Sequence, residues 1–219
     1  TSRSGRMASA PSGISAGLGG RCAREGFAVS GVRFTVDVEW SEQAVSLPEA
    51  WTGVEQVWIV RRLLDALKRH EVQATFYVLG QVAEKHPGLV QRIHENGHRL
   101  GSHGYWHARQ EGSWWELQAT KAIQRAVPGK ALGAMDYRSP YWETTPRPGI
   151  GGGKGFRLLP KQVLKWEIER QGVFWIHPHD LRSLSDISEW PVQEPWHRSL
   201  LLWNPWERLE WLLRTVQWC

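Results

Sequence analysis

Cysteine is scarce in this chain, long apolar runs are missing, and little net charge remains beyond the first 30 residues. Two cysteines, Cys22 and Cys219, sit near opposite ends of 219 residues, which is no disulfide framework. Free thiols and a reducing compartment are therefore expected. No stretch reaches the ~18 apolar residues of a membrane-spanning helix. The N-terminal segment lacks the apolar centre of a secretory signal, so a cytoplasmic location is expected. The formal charge of +5 is local: Arg3, Arg6, Arg21 and Arg24 against Glu25 give +3, leaving 23 basic against 21 acidic residues. No Lys/Arg stripe with interleaved aromatics follows, which argues against nucleic-acid binding.

Tryptophan, in contrast, is abundant. The chain has 15, eight of them from Trp166 onward. Such rings mostly fill cores, but they also offer faces on which sugar rings stack. The length suits one domain with a sizeable core. Residues 1–30, rich in Ser, Gly, Ala and Arg, read as a disordered tail, a targeting segment or an expression remnant outside the fold.

From Val32 the pattern becomes regular. Val32–Val38 alternates as a strand and ends in Asp37-Val38-Glu39. Val57–Leu67 has helical spacing. Ala74–Leu79 reads as a buried strand, Pro87 opens a helix that Asn96-Gly97 closes, and His98–Ser102 is a third strand. The order β-α-β-α-β implies parallel strands with function at their carboxyl ends. Trp114–Ala126 is expected to be helical, and Gly133–Trp142 a strand running into a loop. Leu159–Gln171 reads as a helix followed by Gly172, and Val173–Ile176 as a strand delivering His177. Asn204-Pro205 caps a last helix with Trp206, Leu209, Leu213 and Val216 inward. Ile150–Gly155 (IGGGKG) is glycine-rich but lacks the ending of a phosphate loop.

Chemistry-bearing residues gather after these strands. His103 and His107 are four apart, a spacing that one helical turn would bring to one face, as a metal needs from two imidazoles. Asp37 and Glu39, Arg138 and His177 occupy the other strand ends. His179 and Asp180 follow in a loop. His70, His86, His94, His98 and His197 read as surface or capping histidines.

Five segments in order (TVDVEW, ATFYVLG, HGYWH, YRSP and WIHP) resemble the motifs of the metal-dependent polysaccharide deacetylase family, the NodB-homology domain. The resemblance covers roughly residues 32–218. It is nearest the deacetylases of exopolysaccharide loci, which share a DVE-type first motif and a segment like GGGKGFRLLP. It implies an α/β fold, a distorted and incomplete (β/α) barrel, with residues 31–219 as the catalytic domain. It also implies hydrolytic removal of N-acetyl groups from an amino-sugar polymer or oligosaccharide, with acetate released.

By the same resemblance, Glu39, His103 and His107 would hold one divalent metal, expected to be zinc. Asp37 would be the general base, Arg138 its orienting partner and His177 the general acid. A backbone N–H near Tyr141 would help stabilise the oxyanion. Tyr141, Trp142, Trp106 and His179 would line the substrate groove. Only Tyr141–Lys154 separate YRSP from GFRLLP, where the family has several tens of residues. That shortening supports one alternative, a carbohydrate-binding protein without activity; another is an amidase for a small non-sugar amide. A non-heme iron oxygenase also uses two histidines and a carboxylate, but here the carboxylate lies far upstream.

Overall fold

The computed structural model of the chain describes residues 21–24, 27–39, 53–108, 112–129, 132, 135–142, 155–157, 159–182 and 204–219. Among these, strands β1 (Arg21–Arg24) and β2 (Phe27–Ser30) form an antiparallel pair. The segment set aside as a tail thus contributes a hairpin, and residues 1–20 lie outside the described residues.

Five further strands form one parallel sheet: β3 (Arg33–Val38), β4 (Ala74–Val78), β5 (Arg99–Ser102), β6 (Asp136–Tyr137) and β7 (Val173–Ile176). Their order is β6-β5-β4-β3-β7, and the sheet does not close into a barrel among the described residues. The connections carry helices α1 (Gly53–Arg69), α2 (Gly80–Lys85), α3 (Pro87–Glu95), α4 (Ser113–Ala126) and α5 (Lys161–Gln171). Helix α6 (Pro205–Thr215) follows β7. The expected α/β architecture therefore holds, its sheet open among the described residues.

Local sequence explains most element ends. Pro87 opens α3, and Leu89, Val90 and Ile93 are its buried face. Gly172 ends α5 at φ 69°, in the left-handed region where a side chain is disfavoured. The Asn204 carboxamide oxygen accepts from the N–H groups of Trp206 and Glu207, the N-cap that the Asn-Pro pair predicts. The long strand predicted over 133–142 shrinks to Asp136–Tyr137, followed by a 3-10 turn at Pro140–Trp142.

Strand β3 departs from simple alternation. Both of its faces are buried, because it lies between β4 and β7 with further structure on each side. Val32, Phe34, Val36 and Val38 enter the apolar core with Phe76, Val78, Phe174 and Ile176. Thr35 and Asp37, on the opposite face, are polar groups out of water, and each needs a partner. Thr35 finds one by donating its hydroxyl to the Phe174 carbonyl at 3.1 Å.

The chain reverses its direction of growth at β3, running outward through β4, β5 and β6 before returning as β7 on the other side. A crevice at the carboxyl ends follows from such a reversal. The C-terminus is tied to the opposite end of β3: Val32 N–H donates to the Gln217 carbonyl, and Cys219 N–H donates to the Val32 carbonyl. Cys219 is disulfide-bonded, which corrects the expectation of free thiols. Distance along the chain had suggested separate cysteines, but the fold brings the last residues back to where β3 begins. Of the late tryptophans, Trp175 and Trp206 are buried, Trp211 and Trp218 pack against the core, and Trp166 is exposed. Trp190, Trp196 and Trp203 lie outside the described residues, as does most of the glycine-rich run.

Candidate metal centre at the strand ends

Parallel register brings the predicted residues level. Val38 pairs with Val78, Val78 with Ser102, and Ser102 with Tyr137, so Glu39, His103 and Arg138 each follow one common row. Val36 pairs with Ile176, which sets His177 beside Asp37. Four separated motifs are thereby collected along one sheet edge.

The convergence of His103 and His107 is real, but no helical turn produces it. Residues 103–108 form no helix; the loop bends through Gly104 at φ 80° and His107 at φ 59°. A non-glycine residue in that region is strained. Nε2 of His103 lies 3.0 Å, and Nε2 of His107 3.1 Å, from the same oxygen, Oε1 of Glu39. Nε2 of His177 approaches that oxygen to 3.5 Å. One carboxylate oxygen thus sits among three imidazoles.

Glu39, His103 and His107 offer three donor atoms all within 4.8 Å of one another. Two imidazole nitrogens and a carboxylate oxygen suit a divalent transition metal such as zinc, with coordination positions left for other ligands. The surroundings of His103 strengthen that fit. Its Nδ1 donates to the Arg138 carbonyl at 2.8 Å, which leaves Nε2 as the electron-pair donor. Asp37, Glu39 and His177 form an overlapping group, as do His177, His179 and Asp180.

Beside this cluster, Asp37 is only 1% exposed and accepts from Arg138 Nη1 at 2.5 Å. Arg138 is itself anchored: Nη2 donates to Thr35 at 3.0 Å, and the guanidinium lies 3.9 Å from the Tyr77 ring centre. A buried carboxylate with this pairing keeps a defined orientation. On the other side, Asp180 Oδ2 accepts from the His177 backbone N–H at 2.9 Å and from its Nδ1 at 3.1 Å. This reciprocal turn over Pro178–Leu181 aims His177 Nε2 toward Glu39. Arg157 braces the turn by donating to the carbonyls of His179 and Asp180, at 2.9 and 3.1 Å.

The local charges reinforce one another. Burial opposes ionisation of Glu39, but His177, His103 and His107 outweigh it and hold the carboxyl well below its ordinary range. Burial likewise opposes protonation of His177, yet Glu39, Asp180 and Asp37 push it up to about 10. His103 is also raised, Asp37 and Glu39 overcoming its burial. His179, stacked on His177 at 4.6 Å between ring centres, is lowered to about 4 by burial and by that neighbour. Asp180 is held well below the carboxylate range, its bond to His177 overcoming burial.

The groove residues are partly in view. The Tyr141 ring lies 4.7 Å from the His107 ring and is 45% exposed, with its backbone at φ 56°. Trp106 is 42% exposed beside His107. Trp142 closes the 3-10 turn, its side chain lying outside the described residues, as does the short segment 143–154. Thr35, Tyr77 and Arg157 are the supporting residues that sequence reasoning passed over. Thr35 and Arg157 had detectable signals, a hydroxyl on the charged face of a strand and the arginine of GFRLLP; Tyr77 had none beyond its register with Asp37.

Residues 53–144 match the family model described as polysaccharide deacetylase. A peptidoglycan-N-acetylglucosamine deacetylase, PgdA, of Listeria monocytogenes serotype 1/2a (strain 10403S) is 41% identical over 114 residues, which are 50% of this chain and 22% of that protein. A chitooligosaccharide deacetylase of Sinorhizobium fredii (strain NBRC 101917 / NGR234) is 29% identical over 112 residues, 44% of this chain and 51% of the relative. The matches thus span between about a fifth and a half of these relatives' length. Among solved structures, the peptidoglycan deacetylase PdaC from Bacillus subtilis superimposes with a TM-score of 0.51 at 14% identity, covering 85% of each chain, a likeness of fold.

Proposed function

We propose that the chain, whose residues 53–144 match the polysaccharide deacetylase model, is a member of that family and hydrolyses N-acetyl groups of an amino-sugar polymer or oligosaccharide, releasing acetate. The observation that carries this reading is the meeting of Glu39, His103 and His107, with the Asp37–Arg138 pair on one side and the His177–Asp180 pair on the other. The DVE motif and GGGKGFRLLP support placing it nearest the exopolysaccharide-locus members of the family.

Glu39, His103 and His107 would hold a divalent cation, zinc by its donor preference, which when bound supplies Lewis-acid polarisation of an amide carbonyl and acidification of water. Protons compete with such a cation for the two Nε2 atoms. The remaining chemistry belongs to this chain's residues. Asp37, oriented by Arg138, takes a proton from the water whose oxygen adds to the acetamide carbon. The carbon–nitrogen bond then breaks, and His177 Nε2 gives the departing nitrogen its proton, so that acetate and a free amine result. Asp180 holds His177 Nδ1 and thereby fixes which nitrogen faces the substrate. Tyr141, with its backbone N–H and its ring against His107, and Trp106 border the same opening.

Metal content of the purified protein beside His103→Ala, followed by acetate release from acetylated glucosamine oligomers, tests the reading. The expectation is about one metal per chain, lost in the variant together with activity. Metal with no acetate from any oligomer would overturn the hydrolase and favour a glycan-binding role. Acetate from a small amide alone would favour the amidase.

A further inference from the structure

His177 is held by residues of its own short run, from Trp175 to Asp180. Trp175 and His177, two residues apart in extended chain, share a face, and their rings meet edge to face at 5.2 Å between centres. His177 is still extended, at φ −102° and ψ 155°, and Pro178 then opens the 3-10 turn over Pro178–Leu181. That reversal brings the His179 ring onto the face of His177, 4.6 Å between ring centres and 11° from parallel.

Neither the core nor the turn requires the His179 ring. Pro178, Asp180 and Leu181 are the buried residues of the turn, and Leu181 joins the apolar core. Arg157 holds the turn through the carbonyls of His179 and Asp180, contacts that do not depend on the side chain at 179. Among the described residues the half-buried His179 ring makes no side-chain hydrogen bond; what it meets is the face of His177. A second metal is disfavoured there, although His177, His179 and Asp180 bring donor atoms within 4.8 Å of one another. Near-parallel imidazoles aim their in-plane lone pairs alongside one another, not at one ion.

What the stack supplies is a fixed ring plane. The terminal torsion of a histidine is broad, and the contact of Nδ1 with Asp180, at 3.1 Å, lies at one corner of the ring. A ring pinned at one corner can still swing its far nitrogen, Nε2, across the opening. A flat group against its face removes that freedom. Misplacing a reacting atom by ~1 Å can cost about 10²-fold in rate.

We propose that His179 is a positioning residue: its ring, stacked on His177, sets the plane of the acid imidazole and so the direction in which Nε2 delivers its proton. The inference rests on the deacetylase reading for the reaction that His177 serves. It assigns His179 to the acid and not to the wall of the substrate groove.

The test measures kcat and KM for acetate release from the acetylated glucosamine hexamer by the full chain, as wild type, His179→Ala and His179→Phe. His179→Ala should lower kcat about ten-fold with KM unchanged. His179→Phe, which restores a flat face without ring nitrogens, should recover most of that loss. In a His177→Ala background, His179→Ala should cost nothing further, because the residue it acts through is gone. A raised KM at unchanged kcat would overturn the proposal and return His179 to the groove wall. So would a loss that His179→Phe fails to recover, or an equal loss in the His177→Ala background, either of which marks a purely structural role. No acetate from the wild type would remove the hydrolase reading, and the proposal with it. Acetate from the wild type with kcat unaltered in His179→Ala would remove the proposal alone.

Discussion

His98 and His103 bracket the same four-residue strand, and the two ends of β5 make opposite uses of one side chain. At the amino end His98 is buried beside the Phe76 ring, and its Nδ1 accepts the Ala74 N–H at 3.2 Å. Burial alone pushes it down to about 4, so it is a neutral structural acceptor. At the carboxyl end His103 is equally buried, but Asp37 and Glu39 raise it. Burial therefore does not decide what a histidine does; the carboxylates around it do. Those carboxylates can gather at the carboxyl end because the chain reversal at β3 opens its crevice there.

The comparison can be broken in several ways, the largest on the catalytic side. Asp37→Asn should keep the metal and lower the rate by roughly 10²–10⁴, the usual span for a general base; metal analysis beside acetate release checks it, and an unchanged rate puts the base elsewhere. Arg138→Ala should cost ~3–5 kcal/mol in a denaturant titration, because Asp37 is left as a buried charge without its partner. A loss below ~1 kcal/mol would show that the pair orients without stabilising.

The amino end gives the smaller effect and a signature in pH. His98 takes up its proton near 4 when folded and near 6.5 when unfolded. The unfolded chain thus binds the extra proton first, and stability should fall as pH drops from about 6.5 to about 4, by ~3 kcal/mol at most. His98→Gln, which keeps an acceptor for the Ala74 N–H, should flatten that part of the stability profile and leave metal content unchanged. If His98→Gln lost metal, the two ends would not be separate in function.

Much of this was legible in the chain. Alternation over Val32–Val38, the apolar run Ala74–Leu79 and the strand before His177 all emerged within a residue or two. With them came the positions of Asp37, Glu39, His103, Arg138 and His177, because a parallel sheet delivers whatever follows its strands to one edge. What was illegible depended on backbone angles or distant partners. The four-residue spacing suggested a helical turn, whereas positive φ at Gly104 and His107 performs the convergence. His98 read as a surface or capping residue, because nothing local announces that Ala74, 24 positions earlier, will donate to it. The disulfide bond of Cys219 followed from a C-terminus that returns to the start of β3.

Arg138 ties several elements together through both its backbone and its side chain. Its N–H donates to Ser102 and its carbonyl accepts from His103, while its guanidinium reaches Asp37 and Thr35; Thr35 in turn bonds to β7. Yet it stands directly after β6, an edge strand of two residues. Short edge elements with few buried neighbours open locally long before a domain unfolds. Each such opening would loosen His103 and Asp37 in one event, which ties the assembly of the strand-end cluster to its shortest strand.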